Sequence, residues 1–345
     1  ISGADWVVHH QPQHAFFDKL GSAIKTKTVL PGFFHDTLGE RDRAPVVASI
    51  REFILQRFDA PTPPVDLREA HLQGATADES RALAAPLSPW SPRGAYWAIT
   101  RASLRFGGLL SRGVKLGHDT GFDSGSTLDY VYRNAPDGKG ALGRSIDKTY
   151  LNSIGWRGIR QRKIHVEELI REAMERLAEQ HREVRVMDIA AGHGRYVLDA
   201  VQASPVKASS ILLRDYSDIN VRDGSKLIAE KELQDVAKFV QADAFDRISL
   251  ATVMPRPTLA VVSGLYELFP DNEMVRRSLA GVGDAVEDRG YLVYTGQPWH
   301  PQLEMIARAL TSHRQGEAWV MRRRTQAEMD QLVEEAGFRK IAQRV

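Results

Sequence analysis

Apolar positions fall into three regimes along the chain. From residue 1 to 58, short apolar runs alternate with helical spacing. Residues 1–4 read as a strand end, 11–20 as a helix and 27–30 as a strand, and 45–58 form a helix with Val47, Ile50, Phe53 and Ile54 on one face. Residues 59–92 break the pattern with six prolines (Pro61, Pro63, Pro64, Pro86, Pro89 and Pro92), which predicts a linker without packed elements. From about residue 93 order returns, with helices predicted over 95–110 and 164–179 and a Gly-, Asp- and Ser-rich loop over 117–143. After Glu183 strands (185–188, 210–214, 238–240, 259–263, 291–294, 340–344) alternate with helices (195–203, 219–233, 271–287, 301–312, 326–336). Such alternation predicts a mostly parallel sheet with helices on both faces.

Composition narrows the function without choosing it. With 43% apolar and 26% charged residues over 345 positions, the chain is globular and long enough for about two domains. Forty-six basic side chains against 44 acidic ones give no field for nucleic acid, so no nucleic-acid partner is expected. The absence of cysteine removes disulfides, thiolate metal sites and cysteine nucleophiles. No apolar run approaches the ~18 residues of a membrane span, so no transmembrane segment and a cytoplasmic location are expected. Ile1 opens inside a strand pattern without Met, and Val345 closes directly after one. An internal fragment of a longer protein is therefore expected.

The chemistry concentrates where the first strand of the alternating region ends. Asp188 is followed by Ala190, Ala191, Gly192 and Gly194, and a helix begins near Arg195. Small residues let the backbone turn tightly against a ligand, and the helix start offers free N–H groups. Asp215 ends the next strand, 21 residues past Gly194, where an acid can accept both ribose hydroxyls. Asp243 ends a third strand, placed to accept a bond from an adenine amine. Ser263 to Glu267 leave a fourth strand at the same carboxyl edge, where open α/β sheets bind ligands. No Lys follows Gly194, which argues against a P-loop. Val197 stands where a dinucleotide fingerprint wants a small residue, which disfavours a nicotinamide oxidoreductase.

The stretch Asp188-Ile-Ala-Ala-Gly-His-Gly resembles motif I of class I S-adenosylmethionine-dependent methyltransferases. Asp215 and Tyr216, in Arg214-Asp-Tyr-Ser, are similar to their second motif. Asp243, Ala244 and Phe245 resemble their adenine-contacting motif, and residues 323–338 resemble the helix and strand that close the fold. Ala190 stands where many members have Gly. The resemblance implies a Rossmann-like parallel sheet, truncated before its seventh strand. It also implies S-adenosyl-L-methionine as cofactor, held by Asp188, Ala190, Gly192, Gly194, Asp215, Tyr216, Asp243, Ala244 and Phe245. Residues 93–180 resemble the helical lead-in of a bacterial methyltransferase family often fused behind an α/β-hydrolase. There Arg157, Arg160, Arg162 and Lys163 read either as a grip for a carboxylate or phosphate or as the solvated start of a helix. Tyr130, Tyr132 and Arg133 read either as a cap on the methyl-donor site or as packing.

At the other end, Asp5 lies just past a strand end and His35 follows the next strand. Two parallel neighbours would bring them together, and in chain order they match the last two members of a Ser…Asp…His triad. Residues 1–58 resemble the carboxyl end of monoacylglycerol-lipase-like serine hydrolases, a small βαβα remnant of that fold. No G-x-S-x-G elbow occurs in the chain.

The organisation expected is thus a hydrolase remnant (1–58), a linker (59–92), a helical lead-in (93–180) and a methyltransferase core (181–345). Its acceptor would be a small molecule or lipid, and Glu267 or Tyr266 would be the catalytic candidate beside it. The rivals are an S-adenosylmethionine-binding module without turnover, and ester hydrolysis by the intact parent. His9, His10 and His14 lack a carboxylate at matching spacing, so no metal is expected. His193 sits in the glycine loop without an evident role, and Arg322, Arg323 and Arg324 read as a solvated approach to the last helix.

Overall fold

In the computed structural model, which describes residues 1–58, 60, 65–314 and 316–345, the chain divides into two units, Ile1–Val65 and Asp66–Val345. The first holds helices α1 (His10–Lys19) and α2 (Ala44–Phe58), and neither buries a single residue. The two strands expected there reduce to one parallel bridge between Ser2 and Leu30, flanked by hydrogen bonds from Gly3 N to Leu30 O and from Leu30 N to Ile1 O. Two segments pairing alone, without further strands, extend no ladder.

The second unit begins with six helices: α3 (Ala75–Ala84), α4 (Pro92–Gly107), α5 (Arg112–Thr120), α6 (Gly125–Arg133), α7 (Gly140–Leu151) and α8 (Ile154–Glu179). Two expectations fail here. The 59–92 stretch is not all linker, because α3 buries Ala77, Ser80 and Leu83; Pro61, Pro63 and Pro64 lie outside the described residues. The predicted loop 117–143 is largely helical. Gly117 within it serves close packing, since a Cβ there would strike the ring of Phe122, as one on Gly113 just before it would meet Tyr130 and Tyr150. Gly121 and Gly140, with φ of 95° and 63°, turn the chain at helix ends. Ser91, Ser111 and Ser124 cap α4, α5 and α6 by accepting from Gly94, Val114 and Thr127 N–H groups.

The remainder alternates as predicted: β1 (Arg185–Asp188), α9 (Arg195–Ala203), β2 (Ser210–Asp215), α10 (Asp218–Glu230), β3 (Ala237–Gln241), α11 (Arg247–Ala251), β4 (Leu259–Val262), α12 (Asn272–Ala285), β5 (Tyr291–Tyr294), α13 (Leu303–Ala309) and α14 (Gln326–Glu335). The strands form one parallel sheet in the order β3-β2-β1-β4-β5, with Val186 opposite both Ile211 and Leu259. Connections run one way from β1 to β3 and the other way through β4, so the crevice between the carboxyl ends of β1 and β4 is the switch point.

Both faces are covered. Ile170, Met174 and Leu177 of α8 pack with Val197 and Leu213 on one side, and Met187, Leu250, Leu279 and Leu332 fill the other. A third cluster joins α5–α8 to α13 through Phe122, Tyr130, Trp156, Ile306 and Trp319. Residues 340–344 form no strand. Lys340 and Arg344 instead pair with Asp330 and Glu172, at 2.5 and 2.8 Å, and the backbone there finds no ladder partner.

Candidate functional site

The glycine loop leaves β1 and crosses under α6. Gly192 and Gly194 have φ of 58° and 75°, a region in which any residue with a Cβ is strained. At Gly194 a Cβ would also strike Leu213. The loop is tied to β2 by Gly192 N, which donates to Asp215 Oδ2 at 2.9 Å. Asp215 Oδ1 accepts from Ser217 N at 2.9 Å and Asn220 Nδ2 at 3.0 Å. Three of the roughly four acceptor positions of the carboxylate are therefore taken. One acceptor position, on Oδ2, is left over. Burial raises the Asp215 carboxyl above its ordinary range, against the pull of those donors.

A cavity of about 290 Å³ opens over this loop, bordered by Ala190, Gly192, Gly194, Asp215 and Tyr216 and by Ser263 to Leu265 after β4. It therefore lies at the switch point. Four carboxylates border it, those of Asp119, Asp123, Asp129 and Asp215, and no lysine does. Other expected cofactor residues lie elsewhere. Asp188 is fully buried beneath the loop, accepting from Tyr196 OH at 2.5 Å and Ala190 N at 3.2 Å, and does not border the cavity. Asp243, Ala244 and Phe245 do not border it either. Asp243 accepts from Phe245 N, Ala244 is buried, and the Phe245 ring meets Phe269 edge-on at 4.6 Å.

Of the cap residues expected on α6, Tyr132 borders the cavity and Tyr130 is buried; Gly125, Ser126 and Asp129, which make the roof's contacts, were not expected. The amino end of α6 presses on the loop so closely that a Cβ on Gly125 would lie 2.6 Å from Gly192 Cα. Asp129 on α6 grips Arg195 at 2.6 Å and Arg133 at 3.1 Å, and Ser126 Oγ lies 3.2 Å from His193 Nε2. Burial pushes the Asp129 carboxyl up, but His193 and Arg195 prevail and bring it to about 2. His193 thus joins loop to roof. His313 closes a further side: its backbone N and Nδ1 lie 2.6 and 3.0 Å from Asp123 Oδ1, and its ring lies 5.7 Å from that of Tyr216. The Asp-Ser-Gly run before α6 is a cap signature readable in sequence. Nothing local marks His313.

Beyond β4 the two catalytic candidates separate. Tyr266 points into the core, with its hydroxyl 3.1 Å from Ser278 Oγ, so the structure does not place it beside an acceptor. Glu267 is buried, does not border the cavity and takes Arg162 Nη1 on Oε1 at 2.8 Å, while Oε2 has no partner among the described residues. Arg162 is thus not part of a solvated helix start; a Cβ on Gly264 would meet its guanidinium. The run Arg322–Arg324 is likewise not solvated. Arg322 is buried against Glu328 and Asn272, and Arg324 donates to the carbonyls of Tyr266 and Phe269, fixing the β4–α12 turn. Burial and the adjacent Arg322 push Arg324 down to about 10. A larger cavity of about 940 Å³ runs along β5, α8 and the carboxyl-terminal segment, away from the glycine loop.

In the first unit His35 Nδ1 lies 3.2 Å from Asp5 Oδ2, and Asp5 Oδ1 accepts from the Val7 and Val8 N–H groups. Those backbone bonds, that of Val8 foremost, hold the Asp5 carboxyl below its ordinary range. Among the described residues no cluster of His, Asp and Glu is arranged for a metal.

A parallel sheet with a glycine loop and a β2 acid at its switch point defines a Rossmann-like α/β protein of the methyltransferase class. A family model described as "Putative methyltransferase" matches residues 50–345, and the chain belongs to that family. A second model, of the serine aminopeptidase family, matches residues 1–42. YnbC of Escherichia coli is 52% identical over all 345 residues, and the chain spans 59% of that protein's length. Among solved structures, a "possible exported protein" from Bordetella parapertussis is 17% identical with a TM-score of 0.49, covering 73% of this chain and 93% of that one. A putative O-methyltransferase from Nostoc punctiforme is 15% identical with a TM-score of 0.38, over 51% of each chain.

Proposed function

We propose that the unit from Asp66 to Val345 transfers a methyl group from S-adenosylmethionine to a small-molecule or lipid acceptor. The observation that carries this reading is the acid-lined cavity over a positive-φ glycine loop at the β1/β4 switch point. Asp123 and Asp215 suit a ligand bearing ammonium and sulfonium charges, and the bordering Arg195 is already paired with Asp129, which disfavours a polyphosphate. Bound there, S-adenosylmethionine supplies an electrophilic methyl group. Asp215 Oδ2 would accept a ribose hydroxyl, and the α9 start would face the methionine carboxylate. The half-exposed Tyr216 ring would flank the adenine. Leu265 and Leu268 would exclude water from the transfer, which mainly requires alignment. A base for the acceptor's proton would be Glu267, whose Oε2 has no partner among the described residues, although its side chain does not border the cavity. Calorimetry with S-adenosylmethionine and NAD separately tests the reading. The methyl donor should bind, and Asp215→Ala should weaken it by about 1.5–3 kcal/mol. Binding of NAD alone would overturn it.

The Asp5–His35 contact supports a second reading for the longer parent, a serine hydrolase fused ahead of the methyltransferase. Its test is ester hydrolysis by a longer chain that includes a G-x-S-x-G elbow, with and without His35→Ala.

A further inference from the structure

We infer that the outward face of α4 binds an anionic lipid surface. At about 100° per residue, Ala95, Tyr96, Ile99, Ala102, Ser103 and Phe106 fall within an arc of about 120°. All six are exposed. The opposite side of the helix buries Gly94 and Trp97. A surface helix ordinarily turns a polar face to water, whereas α4 is apolar on both sides. Trp90, 94% exposed, and Leu109, 64% exposed, extend the stripe at either end, and Phe106 within it is 73% exposed. The patch lines neither of the cavities described above, so it offers area without a pocket for an anchoring side chain.

Charge selects the occupant. Residues 80–118 contain six Lys and Arg and no Asp or Glu, in a chain whose charges otherwise nearly cancel. Arg81, Arg93, Arg112 and Lys115 each have one acidic partner from outside that stretch. Arg101 donates to the carbonyl of Arg308, and Arg308 donates to those of Ala82 and Ala85. Neither of them, nor Arg105, has a carboxylate partner among the described residues. An apolar stripe of Trp, Tyr, Ile and Phe with an unneutralised arginine, Arg105, on its flank is the pattern of a helix lying in a bilayer interface. The rings would sit at the headgroup boundary and the Arg105 guanidinium on a lipid phosphate. No helix of the described residues is long and apolar enough to cross a membrane, so the contact would be peripheral.

The test is co-sedimentation of the full chain with phosphatidylcholine vesicles, with and without phosphatidylglycerol. Binding is expected to the phosphatidylglycerol vesicles and to weaken with salt. The double variant Ile99→Asn/Phe106→Ser, and separately Arg105→Glu, should each reduce partition by ~10-fold or more. Both change exposed side chains, and thermal melting checks that the fold is kept. Ile248→Ser, which removes an equally exposed apolar side chain from α11, should leave partition unchanged. Failure to bind phosphatidylglycerol vesicles overturns the inference. So does binding that survives both α4 changes, binding lost equally in Ile248→Ser, or association with an acidic protein without vesicle partition.

Discussion

Asp188 illustrates how far a residue's role can lie from its motif. Its place before the glycines suggested ligand contact, yet it braces the loop from below through Ala190 N and the Tyr196 hydroxyl. Burial pushes its carboxyl from 3.8 up to about 7. Between those values the folded protein holds a proton that the unfolded chain has released. The stability tied to this group is therefore complete below about pH 4 and is lost as pH rises to about 7. Asp188→Asn keeps an acceptor for Tyr196 and cannot titrate. Relative to the parent, the variant should gain about 1–4 kcal/mol between pH 4 and pH 8 in urea unfolding without ligand. A gap that does not change with pH would refute this. Gly192, Gly194 and Asp215 were legible because a tight turn and a strand-end acid leave local spacing in the sequence. The inward turn of Tyr266 and the burial of Arg322 and Arg324 were not, because tertiary packing alone decides which way such side chains point.

Helices α5 to α7 show the same limit for elements. Glycine and serine density argued for loop over 117–143, whereas these residues form short capped helices that pack closely enough to need glycine. Asp147 on α7 holds the group together by accepting from Ser111 Oγ, Gly113 N, Tyr130 OH and Asp137 N. Asp147→Ala would strand four donors and should cost about 3–5 kcal/mol in chemical denaturation; a loss under about 1 kcal/mol would remove its structural role. Gly125→Ala tests whether α6 is the roof of the cofactor site. The added Cβ must push α6 away from Gly192, so S-adenosylmethionine should bind ~10-fold more weakly, about 1.4 kcal/mol, while alanine itself favours the helix. Unchanged affinity would mean that the roof is not part of the site. The β/α alternation after Glu183 was legible because each strand there is a short apolar run between turn signals. The predicted strand at 340–344 failed because a strand exists only where a neighbour supplies its ladder.

At the scale of the molecule, the two units differ in how much they bury. The first buries no hydrophobic side chain, and Ser2 is its one buried residue among those described, while the second holds three clusters around a sheet. Amides of α2 should therefore exchange with solvent far faster than those of β1 and β4. Equal protection would contradict that division. As a 345-residue chain without a serine elbow, the protein should also hydrolyse no nitrophenyl ester; turnover abolished by His35→Ala would mean that another hydroxyl reaches the pair. One feature of the sheet bears on handling. β5 (Tyr-Leu-Val-Tyr) pairs with β4 on one side, and on the other its backbone donors and acceptors meet no strand among the described residues. An edge that no strand covers is a seed for chain-to-chain stacking in concentrated stocks. Light scattering should then grow steeply with concentration and storage time; scattering that stays proportional to concentration would refute it.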